Sequence, residues 1–401
     1  MINLFSPELN RNPYPMYQTM RQSQPVMHIE SLDIWSVFRY ADVKTVLSDH
    51  ARFSSQYGRP PGVDESASEQ ARRRSTLITT DPPHHTDLRS LVNRAFTPRA
   101  VDALEPRIEE IANELLDKHA ASGQIDFVKD FSYPLPVIVI SELLGIPSED
   151  RDRFKHWSDE IVASADQVLG NTDAKSDSAH QEMGAYFHEI IQERRKSPQS
   201  DLISALIEAE VDSERLTEED ILSFCWLLLV AGNETTTNLI GNAMLTLLEQ
   251  PQQLALLRQN PALLSGAIEE SLRYRSPVQA MFRMTTEDVE IAGHTIPAGK
   301  RVVAWIGSAN RDEEKFAEPD QFDITRNPNP HIAFGHGIHF CLGAPLARLE
   351  ARIALSTALE RLQDVSRVAD GPLEPARGFI VHGVTSLPLK FSAKSFSTRR
   401  S

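Results

Sequence analysis

Apolar residues run almost unbroken from Phe224 to Ala231, give way to Gly232, Asn233, Glu234 and three threonines, and resume at Leu239. The flanks bracket one helix: Thr217 with Asp220 after it is a start signal, and Pro251 is a stop. A helix that is apolar nearly all round is a buried helix, so an acid and three hydroxyls at its middle need a reason. A mid-helix threonine can bond back to a carbonyl one turn earlier, which accounts for any single hydroxyl. Glu234 is harder to place, because an ionised carboxylate inside a core is costly unless paired. Gly232 adds roughly 1 kcal/mol of helix cost relative to alanine. Together they point to a site.

Helical periodicity also predicts helices over 100–120, 134–145, 148–164, 180–196, 261–275 and 342–362, with the long one over 217–250. Strand signals are fewer. "DIWSVF" (33–38) is one, 289–307 reads as strand, turn, strand with "PAG" as the break, and a last hairpin is expected within 378–391. The fold class is mainly α with a minor β portion. The polar stretches 55–76 and 164–181 are bounded by helical patterns and read as loops inside one domain spanning 1–401, with 393–401 a flexible tail.

Charge narrows the function classes. The chain has 41 basic and 56 acidic residues, a net of −15, which argues against general binding to nucleic acid or anionic membranes. No run approaches the ~18 apolar residues of a membrane span, and the start lacks a charged-then-apolar signal pattern, so a cytoplasmic protein is expected. Two cysteines, Cys225 and Cys341, form no disulfide framework.

Cys341 lies in "FGHGIHFCLG" (334–343), immediately before a helix whose apolar face runs Leu342, Leu346, Leu349, Ile353. A cysteine at a helix N-terminus gains from the dipole and from unpaired backbone amides. Gly335 and Gly337 suit a tight loop around a sulfur, and Gly343 suits close approach by a flat ligand. His336, His339 and Cys341 are close in sequence, but no second Cys/His pair with zinc spacing answers them. Cys225 reads as a small hydrophobe in the long helix. A single thiolate in a glycine loop instead suits one axial bond to a porphyrin iron. In "DPPHHTDLR" a helix opens after Pro83, so His85 and Arg89 share one face and suit a propionate carboxylate. Glu270 and Arg273 in "EESLR" are three apart, and spacing alone reads as a solvated surface pair.

"DPPHHTDLR", "AGNETT", "EESLR", "SANRDEEKFAEPDQFDITR" and "FGHGIHFCLG", in this order along a likeness spread over about residues 12–391, resemble a soluble bacterial cytochrome P-450, a haem-thiolate monooxygenase. The resemblance implies a mainly helical fold with haem b between the long distal helix and the cysteine-loop helix. It makes Cys341 the iron ligand and His85, Arg89, Arg283 and His339 the propionate partners. Glu270, Arg273 and Arg326 become a structural charge triad, which overrides the surface-pair reading. Glu234 and Thr235 become an acid–alcohol pair that holds water and relays protons, with Gly232 letting the helix open a groove for that water.

The implied activity is insertion of one oxygen atom from O₂ into a small lipophilic molecule: a fatty acid, a terpenoid or a steroid-like compound. Electrons are expected from NAD(P)H through a reductase and a ferredoxin or flavodoxin, to a monomer without a reductase or ferredoxin domain of its own. A peroxygenase using H₂O₂ has no need of a relay at Glu234 and Thr235, and a haem carrier or gas sensor lacks its second strong axial ligand or signalling domain here. The resemblance puts substrate contacts at 55–80 and 164–181, along Leu227, Val230 and Ala231, at Val278, Gln279, Met281 and Phe282, and near Val381. Gln279 is the lone neutral polar group among them.

Overall fold

The computed structural model describes residues 7–56, 76–150, 153–154, 156–157, 160, 174–211, 214–376 and 378–393. Most of the helix expected over 148–164, most of the loops at 55–80 and 164–181, and the 394–401 part of the tail lie outside the described residues.

The long helix spans Glu218–Glu249, 32 residues without a break. Its start is a reciprocal cap: the Thr217 hydroxyl accepts the Asp220 N–H at 3.1 Å, and the Asp220 carboxylate accepts the Thr217 N–H at 2.9 Å. It ends at Gln250, and Pro251 opens the next helix, Pro251–Gln259. The long helix packs against Pro134–Leu143, a π-helical turn at Phe127–Ser132, Leu264–Tyr274 and Ala344–Arg361, the helix that follows Cys341. Gly232 does not loosen it. A Cβ there would stand 2.5 Å from Ile140 Cδ1, so this glycine lets Pro134–Leu143 approach closely. The helix expected over 100–120 divides into Pro98–Asp102 and Glu105–Asp117. Pro106 cannot donate into a preceding turn and starts the second piece instead.

The β portion is dominated by a five-stranded sheet in the order Val26–Ile29, Ile34–Val37, Arg301–Ala304, Met281–Thr285, Phe53–Ser54. Ile34–Val37 and Arg301–Ala304 run parallel, and the other neighbours are antiparallel. The 289–307 stretch therefore serves two sheets: Val289–Ile291 and His294–Ile296 form a small hairpin, and Arg301–Ala304 joins the larger sheet. No hairpin forms within 378–391 alone. Pro388–Ala393 pairs instead with Leu362–Arg367 and Gln124–Asp126, Val384 bridges Pro375, and Val381 bridges Val278.

Glu270 and Arg273 are fully buried, correcting what spacing alone suggests. Two bonds of 2.8 Å join the Glu270 carboxylate to Arg273 Nε and Nη2, and Arg326 Nε approaches both of its oxygens at 3.2 Å. The Asp323 N–H and Asn329 Nδ2 donate to the same carboxylate. Arg273 in turn donates to the carbonyls of Asn310, Pro319 and Gln321. The cluster thus ties Leu264–Tyr274 to the irregular chain of 310–329 that leads into the cysteine loop.

His382 is a second buried polar group. Its Nδ1 meets the Asn10 carbonyl at 3.1 Å, and its ring stands edge-on to Tyr14 at 5.7 Å. Burial, with Arg275 and Arg311 nearby, pushes its pKa down to about 3. The unfolded chain takes up a proton as pH falls through about 6.5, and the folded chain does not. Stability is therefore complete above that value and falls toward pH 3. Between pH 7 and 5 the loss from this residue is roughly 2 kcal/mol. His382→Asn keeps a donor to Asn10 and removes the titration, so urea unfolding should show a flatter pH dependence in that variant; an unchanged slope would contradict the assignment.

Candidate active site

The cysteine loop is shaped by its glycines. Gly335 and Gly337 have φ of +76° and +74°, values at which a side chain is strained. A Cβ on Gly337 would also lie 3.0 Å from the Leu47 carbonyl and from Ser48 Cα, so the loop sits directly on the Tyr40–Ser48 helix. The Cys341 N–H donates to the Phe334 carbonyl at 2.9 Å, closing the loop. Gly343 precedes the first turn of Ala344–Arg361, placing Cys341 at that helix's N-terminal end. Burial pushes the thiol pKa up, against the Gly343 and Ala344 amides and the Arg89 and Arg348 cations, which act to lower it. The helix end alone does not make a thiolate here. Coordination to a metal cation would hold Cys341 as the thiolate, since it deprotonates a thiol outright.

Basic side chains converge beside the loop. The His85 and His339 rings lie 4.3 Å apart between centroids. Arg89 Nη2 donates to the Phe340 carbonyl at 2.9 Å, and buried Arg283 donates from Nη1 to the Phe282 carbonyl at 2.7 Å. Burial, with Arg283, His85 and Arg89 close by, pushes the His339 pKa down to about 3, and burial also lowers that of His85. His339 Nε2 meets the Ser55 hydroxyl at 2.8 Å. Among the described residues, buried His85 Nε2 finds no hydrogen-bond partner. An orphaned ring nitrogen beside crowded cations marks a place built for anionic oxygen.

Across the core, Glu234 and Thr235 are half-buried in the continuous long helix, while Asn233, Thr236 and Thr237 are buried on its other sides. The Thr235 hydroxyl donates back to the Ala231 carbonyl at 2.6 Å. The helix runs without a break through this point.

A family model described as cytochrome P450 matches residues 2–382. The chain belongs to the cytochrome P450 family. It is 47% identical over 383 residues to the putative cytochrome P450 YjiB of Bacillus subtilis, covering 94% of each chain. The structure of CYP109Q5 from Chondromyces apiculatus superposes with a TM-score of 0.90 at 43% identity, covering 98% of this chain and 99% of that one. CYP109E1 from Bacillus megaterium, solved in complex with testosterone, gives 0.86 at 43% identity, covering 95% and 100%. The fold is the P450 fold, the enzyme class is monooxygenase, and the cofactor is haem with an axial cysteine thiolate. Among the described residues no helix is long and apolar enough to cross a membrane.

The residues of this P450 fit that cofactor: a thiol at a helix start, a glycine loop, and His85, Arg89, Arg283 and His339 gathered beside it, a donor set suited to carboxylates. The expected pocket residues divide. Val278 and Val381 face each other across a β-bridge whose flanking bonds, Gln279 N–H to Ile380 O and His382 N–H to Pro277 O, make them a closely spaced side-chain pair. Leu227 is buried, Val230 half-buried and Ala231 exposed. Met281 shares a strand face with Arg283, two residues on. Gln279 and Phe282 belong elsewhere. The Gln279 amide accepts the Tyr17 hydroxyl at 3.0 Å and donates to the Ser276 carbonyl at 2.6 Å, and Phe282 packs against Phe379 in the cluster around Tyr17, Phe38 and Trp305. Partners distant in sequence draw both side chains to that cluster, which periodicity does not report.

Two residues escaped the sequence reading. Arg348 is held bidentately by Glu269 at 2.6 and 2.8 Å and lies 4.5 Å over the Phe334 ring; a pair 79 residues apart leaves no local signal. Asn242 donates to two loop carbonyls, and its signal was available in the spacing along the long helix.

Charge-assisted bonds contribute about 1.5–3 kcal/mol each, so no single member of the basic group should be indispensable. Changing Arg89 and Arg283 together to leucine should yield largely haem-free protein, read as the ratio of haem to protein absorbance. Normal haem content in the double variant would contradict the fit.

Proposed function

We propose that this P450 hydroxylates small lipophilic molecules, fatty acids, terpenoids or steroid-like compounds, using electrons from NAD(P)H passed by a reductase and a ferredoxin or flavodoxin. The observation that carries the reading is the apolar pairing of Val278 with Val381, with Gln279 turned into the Tyr17 network instead. A cavity walled in this way binds by area and shape rather than by polar anchors, and the testosterone complex of CYP109E1 supports a steroid-sized occupant. Cys341 is the proposed iron ligand, and His85, Arg89, Arg283 and His339 the proposed propionate partners.

Haem, when bound, supplies the electron transfer and the activation of O₂. The protein's part is to hold and move protons. The Thr235 oxygen keeps lone pairs to accept from water while its proton is given to Ala231 O. Releasing that bond to turn the hydroxyl inward costs about 0.5–1.5 kcal/mol, small enough to occur within a catalytic cycle. Glu234, one residue away and half-buried, exchanges protons with solvent.

Thr235→Ala should retain haem and substrate yet divert reducing equivalents to peroxide, measured as product formed per NAD(P)H consumed. Full coupling in that variant would remove the role. For substrate class, lipophilic acids, terpenoids and steroids should shift the ferric spin state and give oxygenated products of mixed regiochemistry, while charged, water-soluble metabolites should do neither. An apolar wall separates ligands differing by a methylene by only ~1–3 kcal/mol. One compound bound far more tightly than all others, with a single product, would show a dedicated enzyme and defeat the reading.

A further inference from the structure

The face of the long helix that presents Ala231 and Thr235 continues through Asn238 to Asn242, at spacings of four, three and four residues, which is one side of an α-helix. Both asparagines are buried. Asn242 Nδ2 donates to the His382 carbonyl at 2.8 Å and the Arg275 carbonyl at 3.2 Å. A Cβ added to Gly383 would fall 1.9 Å from Asn238 Oδ1, so the Asn238 amide lies directly against the Gly383 backbone. On its other edge the same segment is bonded to Pro277 and Gln279, at 2.8 and 2.7 Å. Residues 380–383 are thus gripped from both sides, and Val381 is in the grip.

We infer that Asn238 and Asn242 are specificity-determining residues: they fix how far the Val278–Val381 wall stands from Thr235, and so how a lipophilic substrate is oriented for oxidation. The inference rests on the pocket reading above, in which Val381 is a wall. Loss of the Asn242 amide frees the His382 carbonyl from the helix and unties it from Arg275, and the 380–383 segment can then move. A methyl on Gly383 pushes the segment away from Asn238. Neither asparagine touches the reacting atoms; both act by positioning Val381.

The test uses haem-loaded protein and two nitrogen ligands of ferric haem, imidazole and 4-phenylimidazole. Imidazole reports the haem alone, whereas the phenyl ring of the larger ligand also meets the wall. The readout is the ratio of their dissociation constants from difference spectra, with haem content measured first. Val381→Phe should raise the ratio, and an unchanged ratio there would overturn the pocket reading and this inference with it. Given that response, Gly383→Ala should change the ratio by roughly tenfold, the effect of one methylene of misfit in an apolar pocket. Adding Asn238→Ala to Gly383→Ala should restore it, because the contacts at 1.9 and 2.6 Å are then removed and the residue-238 Cβ stands at 3.2 Å. A merely structural glycine would show no such rescue. A wild-type ratio in Gly383→Ala, or a change that persists in the double variant, overturns the clamp. If Gly383→Ala fails to bind haem, Asn242→Ala decides in its place: a changed ratio supports the clamp and an unchanged one overturns it.

Discussion

A carboxylate with no exposed surface must have its charge and lone pairs met by the protein, and Glu270 is such a group. Its oxygens receive Arg273, Arg326, Asn329 and the backbone of Asp323. Apart from Arg273, which shares the helix of Glu270, those partners lie on a chain of 310–329 with little regular structure, which the hydrophobic effect alone would not hold in one shape. Directional bonds to one buried charge give that chain a fixed course. From it the backbone passes through Ile332 and Ala333 into the cysteine loop, so the place of Cys341 is set some seventy residues downstream of the anion that determines it. The neighbouring Glu269 performs a related task with His331 and Arg348.

The sequence shows the parts whose causes are local. The long helix was legible because its cap, its apolar content and its terminal proline all lie within its own residues. The glycine loop at Cys341 was legible for the same reason. Pairings decided by distant partners were not: Pro388–Ala393 alternates as a strand should, but its neighbours are at 124–126 and 362–367. Likewise nothing within "EESLR" says that Arg326 and three carbonyls complete the pair. The two misplaced pocket residues, Gln279 and Phe282, are held by Tyr17 and Phe379, partners that no local pattern reports. The segment was identified correctly, while the layer each side chain enters depends on the helices lying outside it.

The polar middle of the long helix has two consequences that sequence reading merged into one. Thr235 is bonded to Ala231, as any buried threonine can be, and Gly232 is small for the sake of Ile140. What remains distinctive is the direction of the polar stripe. It starts at Glu234 and Thr235 and ends at Asn242 on the His382 carbonyl. One helix face therefore carries both the proposed proton-handling pair and the asparagines inferred to fasten a substrate wall.

The orphaned nitrogen of His85 carries a thermodynamic consequence beyond catalysis. Crowded cations and an unbonded buried ring nitrogen mean that the empty chain folds against its own electrostatics. The prosthetic group then acts as a stabilising ligand for the native state, worth ~4 kcal/mol once its free concentration exceeds its dissociation constant a thousandfold. A chain made faster than haem is delivered spends longer partly open, where proteases reach it. The stability of the finished enzyme is thereby linked to the supply of its prosthetic group.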